Sequence, residues 1–236
     1  QPTGQWSGCH ATPIDINAPA TGNQGITERM PRRSYPLGIT VNINSERFID
    51  EGESFAEQTF VKMGSHILNQ DKSIAFQIFD SKSFDLLEAR YNNSTPAISE
   101  NLNELAIKLN IPESKFIKTI TEFNKAASNG NYSPKKLDGI STNNLAIPKS
   151  NWGIKIDTPP FYGYCVTGGI TYTYGGPKID TKARVLDQNN KPITGLYAAG
   201  EIVGGILFHN SLRGAGLMHG SVFGKIAGTN SAILSK

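Results

Sequence analysis

Apolar and polar residues alternate over residues 38–49, GITVNINSERFI, so that the apolar side chains share one face. Alternation with a period of two is typical of a half-buried strand, and the pair Asn44 and Ser45 favours a turn, so this stretch predicts a hairpin. The apolar run SIAFQIFD at 73–80 predicts a short strand. Apolar residues at helical spacing predict four helices, at 51–70, 81–91, 99–109 and 112–127.

Glycine becomes frequent late in the chain, where fourteen of the 24 glycines lie between positions 163 and 228. In this region YCVTGGITYTYGG predicts strand, loop and strand, and ARVLDQNNKPITGLYAAGE predicts two strands joined by a polar turn. A last helix is predicted from about Gly214 to Ser235. Residues 1–37 and 128–160 are rich in turn-forming residues and predict loops. An α+β segment at about 38–155 is therefore predicted to be inserted between a loop and an α/β tail.

The composition is that of a globular protein large enough for one or two domains, with 236 residues, 38% of them hydrophobic and 18% charged. No apolar run reaches the roughly 18–20 residues that cross a bilayer, and no signal peptide is evident. With a net charge of +3, the chain is not expected to bind nucleic acid; its densest basic spot, Arg29, Arg32 and Arg33, is either a solvated loop or an anion pocket. Two cysteines, Cys9 and Cys165, make no disulfide framework, which favours a cytoplasmic protein.

A stripe of glycines marks the last predicted helix, with Gly216, Gly220, Gly224 and Gly228 at every fourth position. Glycine inside a helix costs about 1 kcal/mol relative to alanine, so the repeated cost indicates that something presses closely against one helix face. A flat cofactor and a neighbouring backbone are the two candidates. The free backbone N–H groups at the start of this helix, near Ala215–Leu217, favour negative charge.

The strand end GLYAAGE carries small residues followed by one acid. Ala199 and Gly200 allow a ligand to come near the carboxyl end of the strand, where α/β sheets bind ligands. Glu201 is then an acceptor for hydroxyl groups of that ligand. The alternative is an ordinary acid that caps a loop at the end of a strand.

The segment ITYTYGGPKID at 170–180 has two adjacent glycines after two tyrosines. Gly175 and Gly176 permit a positive-φ turn and a close approach of the backbone. Tyr172 and Tyr174 alternate with threonines and therefore point to one face. They either pack as core or rim residues or line a substrate pocket.

Together, the AAGE strand end, the glycine pair and the glycine-striped helix resemble the carboxyl-terminal half of the fumarate reductase/succinate dehydrogenase-type flavoproteins. The segments QWSGCHA, SYPLGITVNINSERFIDEG and GLM-x-G-x-VFGKIAG are similar to the tricarballylate dehydrogenase-type subfamily. The resemblance covers nearly the whole chain.

The resemblance implies an α/β plus α+β fold, the carboxyl-terminal part of a split FAD-binding domain with an inserted cap domain. Residues 1–12 and 157–236 would belong to the FAD domain, and residues 13–156 would form the cap that clamps the substrate. Members also carry an amino-terminal G-x-G-x-x-G motif in a βαβ unit that binds the FAD pyrophosphate. That unit is missing from this sequence, so the resemblance implies a fragment that is completed by an amino-terminal FAD-binding part of the same protein.

The cofactor that the resemblance implies is FAD, with Glu201 beside the ribityl hydroxyl groups and the start of the last helix near the anionic edge of the reduced ring. No metal is expected. The cofactor-binding residues implied in this way are Gly175, Gly176, Ala199, Gly200, Glu201, Gly214, Gly216 and Leu217.

In fumarate reductases, two histidines and two arginines grip the dicarboxylate and a further arginine delivers the proton. His10 matches one of the histidines; its alternative is a loop histidine bonded to the backbone. The other positions depart from the pattern. Thr171 or Tyr172 stands where the second histidine is expected, and Asn210 is followed by Ser211 instead of arginine. Phe55 and Ala56 stand near the position of the proton-donor arginine.

Serine and alanine cannot replace a guanidinium, which stays protonated and binds a carboxylate in a bidentate way. Arg213, in the loop before the last helix, is the preferred anion-binding residue, and Arg32 or Arg33 comes second. Tyr172 is the candidate proton donor or acceptor, as tyrosines are in the related ketosteroid dehydrogenases. The catalytic set is then Tyr172, Arg213 and His10. The substrate-binding set is His10, Arg33, Asn210, Ser211 and Arg213.

The function implied is oxidation or reduction of a CH–CH bond in a small di- or tricarboxylate, similar to tricarballylate dehydrogenase, with an unknown electron acceptor. Fumarate reductase-like and ketosteroid dehydrogenase-like activities are alternatives. A further alternative, of a different class, is a non-catalytic fragment that binds a carboxylate or a partner polypeptide without flavin.

Overall fold

The computed structural model describes residues 1–210 and 214–234, which pack as two compact units. The terminal unit combines Gln1–Ala11 with Ile170–Lys236, and the central unit is Thr12–Gly169. The segment 157–169, assigned above to the FAD domain, packs in the central unit because it contains a strand of the central sheet. The identity of the two units as FAD-domain segment and cap stays a prediction.

The central unit is built on a sheet of five strands in the order β2-β6-β4-β3, with β5 also paired to β6. Strands β3, β4 and β6 pair in antiparallel fashion, with Val41 opposite Phe76 and Phe76 opposite Cys165. The strands are β2 (Cys9–Asp15), β3 (Ile39–Asn42), β4 (Ile74–Asp80), β5 (Ala97–Ser99) and β6 (Phe161–Thr173).

Helices cover both faces of this sheet, because successive side chains of a strand point to opposite sides. On one face, α4 (Leu102–Leu109) and α5 (Glu113–Ala126) pack on Phe76 and Ile78. On the other, α2 (Ala56–Leu68) packs on Ala75. The side chain of Asn101 caps α4 by accepting a hydrogen bond from the Glu104 amide at 2.8 Å. The short helices α1 (Gln24–Thr27) and α3 (Ser81–Phe84) complete the unit.

The strand at 73–80 and the helices at 99–109 and 112–127 are confirmed, with ends shifted by a few residues. The prediction of a loop over residues 1–37 is wrong, because β2 lies there, paired with β6. The helix predicted at 81–91 is confined to α3, followed by a 3-10 helix at Ala89–Asn93. The two strands predicted within YCVTGGITYTYGG are one continuous strand, β6.

A buried ion pair lies beneath the turn that follows β3. The Arg47 guanidinium donates to Glu51 at 2.5 and 3.1 Å, and the Glu51 carboxylate also accepts the Thr40 amide at 2.7 Å. Arg47 in addition donates to the Ile147 carbonyl at 2.7 Å, and only 1% of Glu51 is exposed. The RFIDEG segment therefore ties the edge of the sheet to the 147–149 segment.

Lys149 is a buried cation beside this ion pair, only 1% exposed, and its ammonium donates to the Gly38 carbonyl. Burial lowers the pKa of Lys149 from 10.5 to about 8. Between these values the unfolded chain holds a proton that the folded chain lacks, so stability rises with pH through this window. Below pH 8 both states are protonated and the full penalty of the buried charge is present.

We therefore expect the unfolding free energy of the protein to rise by about 2–3 kcal/mol between pH 7 and pH 10, relative to the Lys149→Met variant. Urea unfolding of both proteins at both pH values measures this difference, since all other titrating groups are shared. A difference between the two proteins that does not change with pH would show that Lys149 titrates normally.

The terminal unit contains two small antiparallel sheets and the longest helix. Strand β1 (Pro2–Thr3) pairs with β7 (Gly176–Pro177), and β8 (Arg184–Leu186) pairs with β9 (Pro192–Tyr197). The β8–β9 hairpin confirms the two predicted strands and their polar turn. The predicted last helix is confirmed as α6 (Ala215–Leu234).

Helix α6 has no buried residue among those described. Large apolar side chains on it are exposed, namely Leu217, Met218, Val222, Ile233 and Leu234. No helix in the described ranges 1–210 and 214–234 is both long and apolar enough to cross a membrane.

Gly176 lies where three backbone segments meet. A Cβ atom there would collide with the Ile202 carbonyl oxygen and lie 2.6 Å from the Gly204 nitrogen. We expect Gly176→Ala to lower the unfolding free energy by about 1–3 kcal/mol, because backbone atoms must move apart. Gly224→Ala is the matched control: its Cβ meets nothing within 4 Å among the described residues, and it should stabilise α6 by up to about 1 kcal/mol. Equal thermal midpoints for the two variants would contradict this account.

Candidate functional site

Three residues singled out from the sequence, His10, Tyr172 and Glu201, lie close together in the terminal unit. His10 lies on β2 and Tyr172 on β6, which are neighbouring strands. Their rings meet edge to face, with centroids 5.5 Å apart and an interplanar angle of 80°. The negative charge of Glu201 acts on the Tyr172 phenol. The terminal unit therefore assembles an imidazole, a phenol and a carboxylate.

Hydrogen bonds with Thr171 fix the orientation of His10. The Thr171 hydroxyl donates to the His10 carbonyl at 2.7 Å and contacts the ring nitrogen Nδ1. Since the hydroxyl has one proton, and gives it to the carbonyl, it accepts from Nδ1–H. The neutral ring then carries its lone pair on Nε2. His10 is thus a residue of a strand and not of a loop, and its role in binding substrate stays a prediction.

Tyr172 is half-buried, and its hydroxyl lies near the first turn of α6. A Cβ atom at Gly216 would be 3.5 Å from the hydroxyl oxygen, so a glycine leaves room for this tyrosine. Burial raises the pKa of Tyr172, and the charge of Glu201 raises it further. The phenol, like that of an ordinary tyrosine, is protonated at neutral pH and can donate a hydrogen bond.

Glu201 lies in a 3-10 turn, Gly200–Ile202, directly after β9. Its Oε1 atom accepts the Thr173 amide at 3.0 Å, and the side chain is exposed. Gly200 has a φ of +80°, and a Cβ there would lie 4.0 Å from the Gly220 Cα. One carboxylate oxygen of Glu201 thus caps the end of β6, as expected for an ordinary acid at the end of a strand. The other oxygen belongs to an exposed side chain and can still accept a hydrogen bond.

The adjacent glycines Gly175 and Gly176 have a different role from the one predicted. Neither has a positive φ, so no positive-φ turn forms there. A Cβ at Gly175 would lie 2.7 Å from the Trp6 ring, and Gly176 lies in the backbone crossing described above. Both positions require glycine because neighbouring groups lie too close for a Cβ atom, which is the close approach that the sequence analysis predicts. The left-handed conformation occurs instead at Gly214, where φ is +83°.

The glycine stripe of α6 divides into two halves. Gly216 and Gly220 face Tyr172 and Gly200, so neighbouring protein groups explain them. Gly224 and Gly228 have nothing within 4 Å of a built Cβ among the described residues. The exposed apolar side chains of α6 and the open half of the stripe form a surface suited to a further apolar layer.

His219, which the sequence analysis does not include in the site, lies on α6 close to this cluster. Its ring is tilted against Phe223 with centroids 4.9 Å apart, and burial lowers its pKa. Its Nε2 atom is buried and has no hydrogen-bond partner among the described residues. A histidine four residues before a phenylalanine on a helix is a weak signal, and it indicates packing more readily than binding.

The structure contradicts the prediction for one of the predicted anion-binding residues and leaves the other predictions untested. Arg32 is fully buried and pairs with Asp15 at 3.0 Å, so its prediction as an anion-binding residue is wrong. Arg33, in the central unit, is only partly buried. Asn210 is exposed, at the end of the described segment. Ser211 and Arg213 lie outside the described residues, so their roles stay predictions.

A family model described as "FAD binding domain" matches residues 16–217 of the chain. An NADH:acrylate oxidoreductase of Vibrio harveyi is 32% identical over 83% of this chain and 18% of its own length. A fumarate reductase (cytochrome) of Shewanella frigidimarina is 30% identical over 84% of this chain and 32% of its own length. The chain thus spans less than a third of these curated relatives.

The solved structures give the same result for the fold. The open conformation of a flavocytochrome c3 fumarate reductase matches with a TM-score of 0.67 and 26% identity, over 96% of this chain and 36% of that one. The mixed α/β fold and the resemblance to fumarate reductase-type flavoproteins are confirmed. Since the family model spans most of its length, the chain belongs to the FAD binding domain family, whose cofactor is FAD.

Proposed function

We propose that the protein containing this chain is an FAD-dependent oxidoreductase that interconverts a CH–CH bond and a C=C bond in a small carboxylate. The observation that carries the proposal is the cluster of His10, Tyr172 and Glu201 in a chain of the FAD binding domain family. The similar proteins named above are named for acrylate and fumarate, which are unsaturated carboxylates.

The residues of the terminal unit fit the predicted cofactor. Gly216 and Leu217 belong to the start of a 20-residue helix, and Gly214 directly precedes it. The free N–H groups at this helix start favour an anionic ring edge. Glu201 offers an exposed carboxylate for ribityl hydroxyl groups, beside the small residues Ala199 and Gly200. The exposed apolar surface of α6 supports the idea that an amino-terminal FAD-binding part completes the unit.

When bound, FAD supplies the acceptor or donor of a hydride. The chain's own contribution is proton transfer and substrate binding. Tyr172, protonated at neutral pH as an ordinary tyrosine is, delivers a proton to the carbon next to the one that exchanges hydride. His10, oriented by Thr171, binds a substrate carboxylate in its imidazolium form, in which Nε2–H donates to the carboxylate, and Arg213 is the proposed anion-binding residue. In the oxidising direction the phenol first loses its proton to solvent, and the resulting phenolate receives the proton from the substrate carbon.

For the substrate we propose a di- or tricarboxylate, with tricarballylate-like oxidation as the lead. The QWSGCHA and RFIDEG segments support it, as does the loss of the fumarate reductase arginine pattern at Phe55, Ala56 and Ser211. Reduction of an alkenoate is the second candidate. The similar proteins named for acrylate and fumarate support it.

The test is anaerobic spectroscopy of the FAD-loaded protein. Oxidised protein is mixed with tricarballylate or succinate, and chemically reduced protein with fumarate, acrylate or aconitate. Bleaching by a saturated acid supports the lead, and reoxidation by an unsaturated acid supports the second candidate. A response only to a neutral ketosteroid would indicate ketosteroid dehydrogenase chemistry. Failure to take up FAD at all would leave the non-catalytic alternative.

A further inference from the structure

Arg33 is held in a fixed position on the surface of the central unit. Its guanidinium stacks on the Phe60 ring at 3.9 Å, and its Nε donates to the Thr12 hydroxyl at 3.1 Å. Stacking on an aromatic ring and one hydrogen bond orient the planar group. The two terminal nitrogens make no hydrogen bond among the described residues.

A second arginine is brought to the same place by the chain around Ser34. The Ser34 hydroxyl accepts the Glu88 amide at 2.9 Å, and the Ser34 amide donates to the Tyr91 hydroxyl at 2.9 Å. Arg90 lies between these two anchored positions. These two hydrogen bonds hold residues 88–91 beside Ser34 and so bring Arg90 near Arg33. Burial lowers the pKa of Arg33, and the positive charge of Arg90 lowers it further.

These two arginines differ from three other arginines in lacking a carboxylate partner among the described residues. Arg32, Arg47 and Arg184 each pair with an acid within 3.0 Å. Within residues 1–210 and 214–234, no carboxylate oxygen lies within 4.0 Å of Arg33 or Arg90. Glu88 and Glu57 are near enough to offset part of the repulsion, but not to form ion pairs. Two neighbouring cations, one of them desolvated, are stabilised by a bound anion.

We propose that Arg33 and Arg90 form a carboxylate-binding subsite of the central unit. The proposal rests on the proposed function, because it assigns a place for one carboxylate of the di- or tricarboxylate. A guanidinium held flat on Phe60 presents its paired N–H groups to a carboxylate in the bidentate geometry. Phe60 lies one helical turn after Ala56 and so on the same face of α2. Arg33 therefore supplies a guanidinium near Ala56, where this sequence lacks the arginine of the fumarate reductases.

The test is calorimetric binding of tricarballylate to the protein with chemically reduced FAD, because a saturated acid cannot be oxidised by a reduced flavin. Arg33→Gln and Arg90→Gln should each weaken binding roughly 10- to 100-fold, the loss expected for a hydrogen bond to a charged group. Arg33→Lys keeps the charge and should recover only part of the affinity, because lysine cannot bind in a bidentate way. Arg29→Gln, an exposed arginine of the same segment, is the matched control and should bind as the parent does.

The proposal is overturned if Arg33→Gln and Arg90→Gln bind tricarballylate as tightly as Arg29→Gln, or if the parent protein binds no carboxylate. Inorganic phosphate that competes as well as the acid would show a general anion patch instead. Urea midpoints of the variants separate loss of binding from loss of folding. Carboxylate binding here, with no change in flavin absorbance when oxidised protein meets saturated acids or reduced protein meets unsaturated acids, would leave the subsite standing and reject the proposed oxidoreductase function.

Discussion

Replacing Tyr172 by phenylalanine is expected to slow flavin oxidation or reduction by a carboxylate substrate by a factor of roughly 10²–10⁴, the usual contribution of a positioned acid or base. The flavin content should stay unchanged, because the Tyr172 ring and its contact with His10 remain. Stopped-flow absorbance of the flavin measures the rate, and the content is read from the same spectrum.

Tyr174→Phe is the matched control for this prediction. Tyr174 is the next tyrosine on the same face, with ring centroids 6.2 Å from Tyr172, but it is only 3% exposed. Its hydroxyl has no hydrogen-bond partner among the described residues, so its removal should affect neither rate nor folding. Equal rates for Tyr172→Phe and the parent protein would exclude Tyr172 as the proton-transferring group.

Replacing Glu51 by alanine is expected to lower the unfolding free energy by about 3–5 kcal/mol. The substitution leaves the buried Arg47 guanidinium without its carboxylate and the Thr40 amide without its acceptor. Most of the loss therefore comes from an uncompensated buried charge. Urea unfolding followed by far-UV circular dichroism measures the change.

Glu53→Ala is the control for this second prediction. Glu53 pairs with Lys62 at 2.5 Å, but both side chains are 46% exposed, so the pair contributes only about 0–1 kcal/mol. Arg47 itself offers a further check: in the Glu51→Ala background, Arg47→Met should restore part of the lost stability. If Glu51→Ala and Glu53→Ala unfold at the same urea concentration, the buried pair does not hold this part of the sheet.

Local sequence patterns predict the elements whose own residues determine them. The run at 73–80 and the helices around 102–109 and 113–126 carry their apolar residues at the spacing that the core requires. The strand β2 could not be predicted in this way. It lies in a stretch rich in turn-forming residues, and its pairing with β6, far along the chain, is what makes it a strand.

The candidate site shows the same division between local and distant effects. The spaced glycines of the last helix and the small residues of AAGE correctly indicate that two backbone segments approach each other near Gly200. A small residue permits such an approach whatever the rest of the fold is. Charge alone cannot distinguish Arg32 from Arg33, which are adjacent in sequence. The ion pair with Asp15, on β2, shows that Arg32 is a structural cation. The contacts with Phe60 and Thr12 show how Arg33 is held.

The order of the units along the chain has a consequence for folding. The central unit is continuous, whereas β1 can pair with β7 only after the whole central segment has been made. Closing so long a loop costs chain entropy, and contacts between distant residues slow folding. If the central unit forms first, it brings residues 11 and 170 within reach of each other and shortens that search. We therefore expect destabilised variants of the central unit to delay assembly of the terminal unit, even when none of its own contacts has changed.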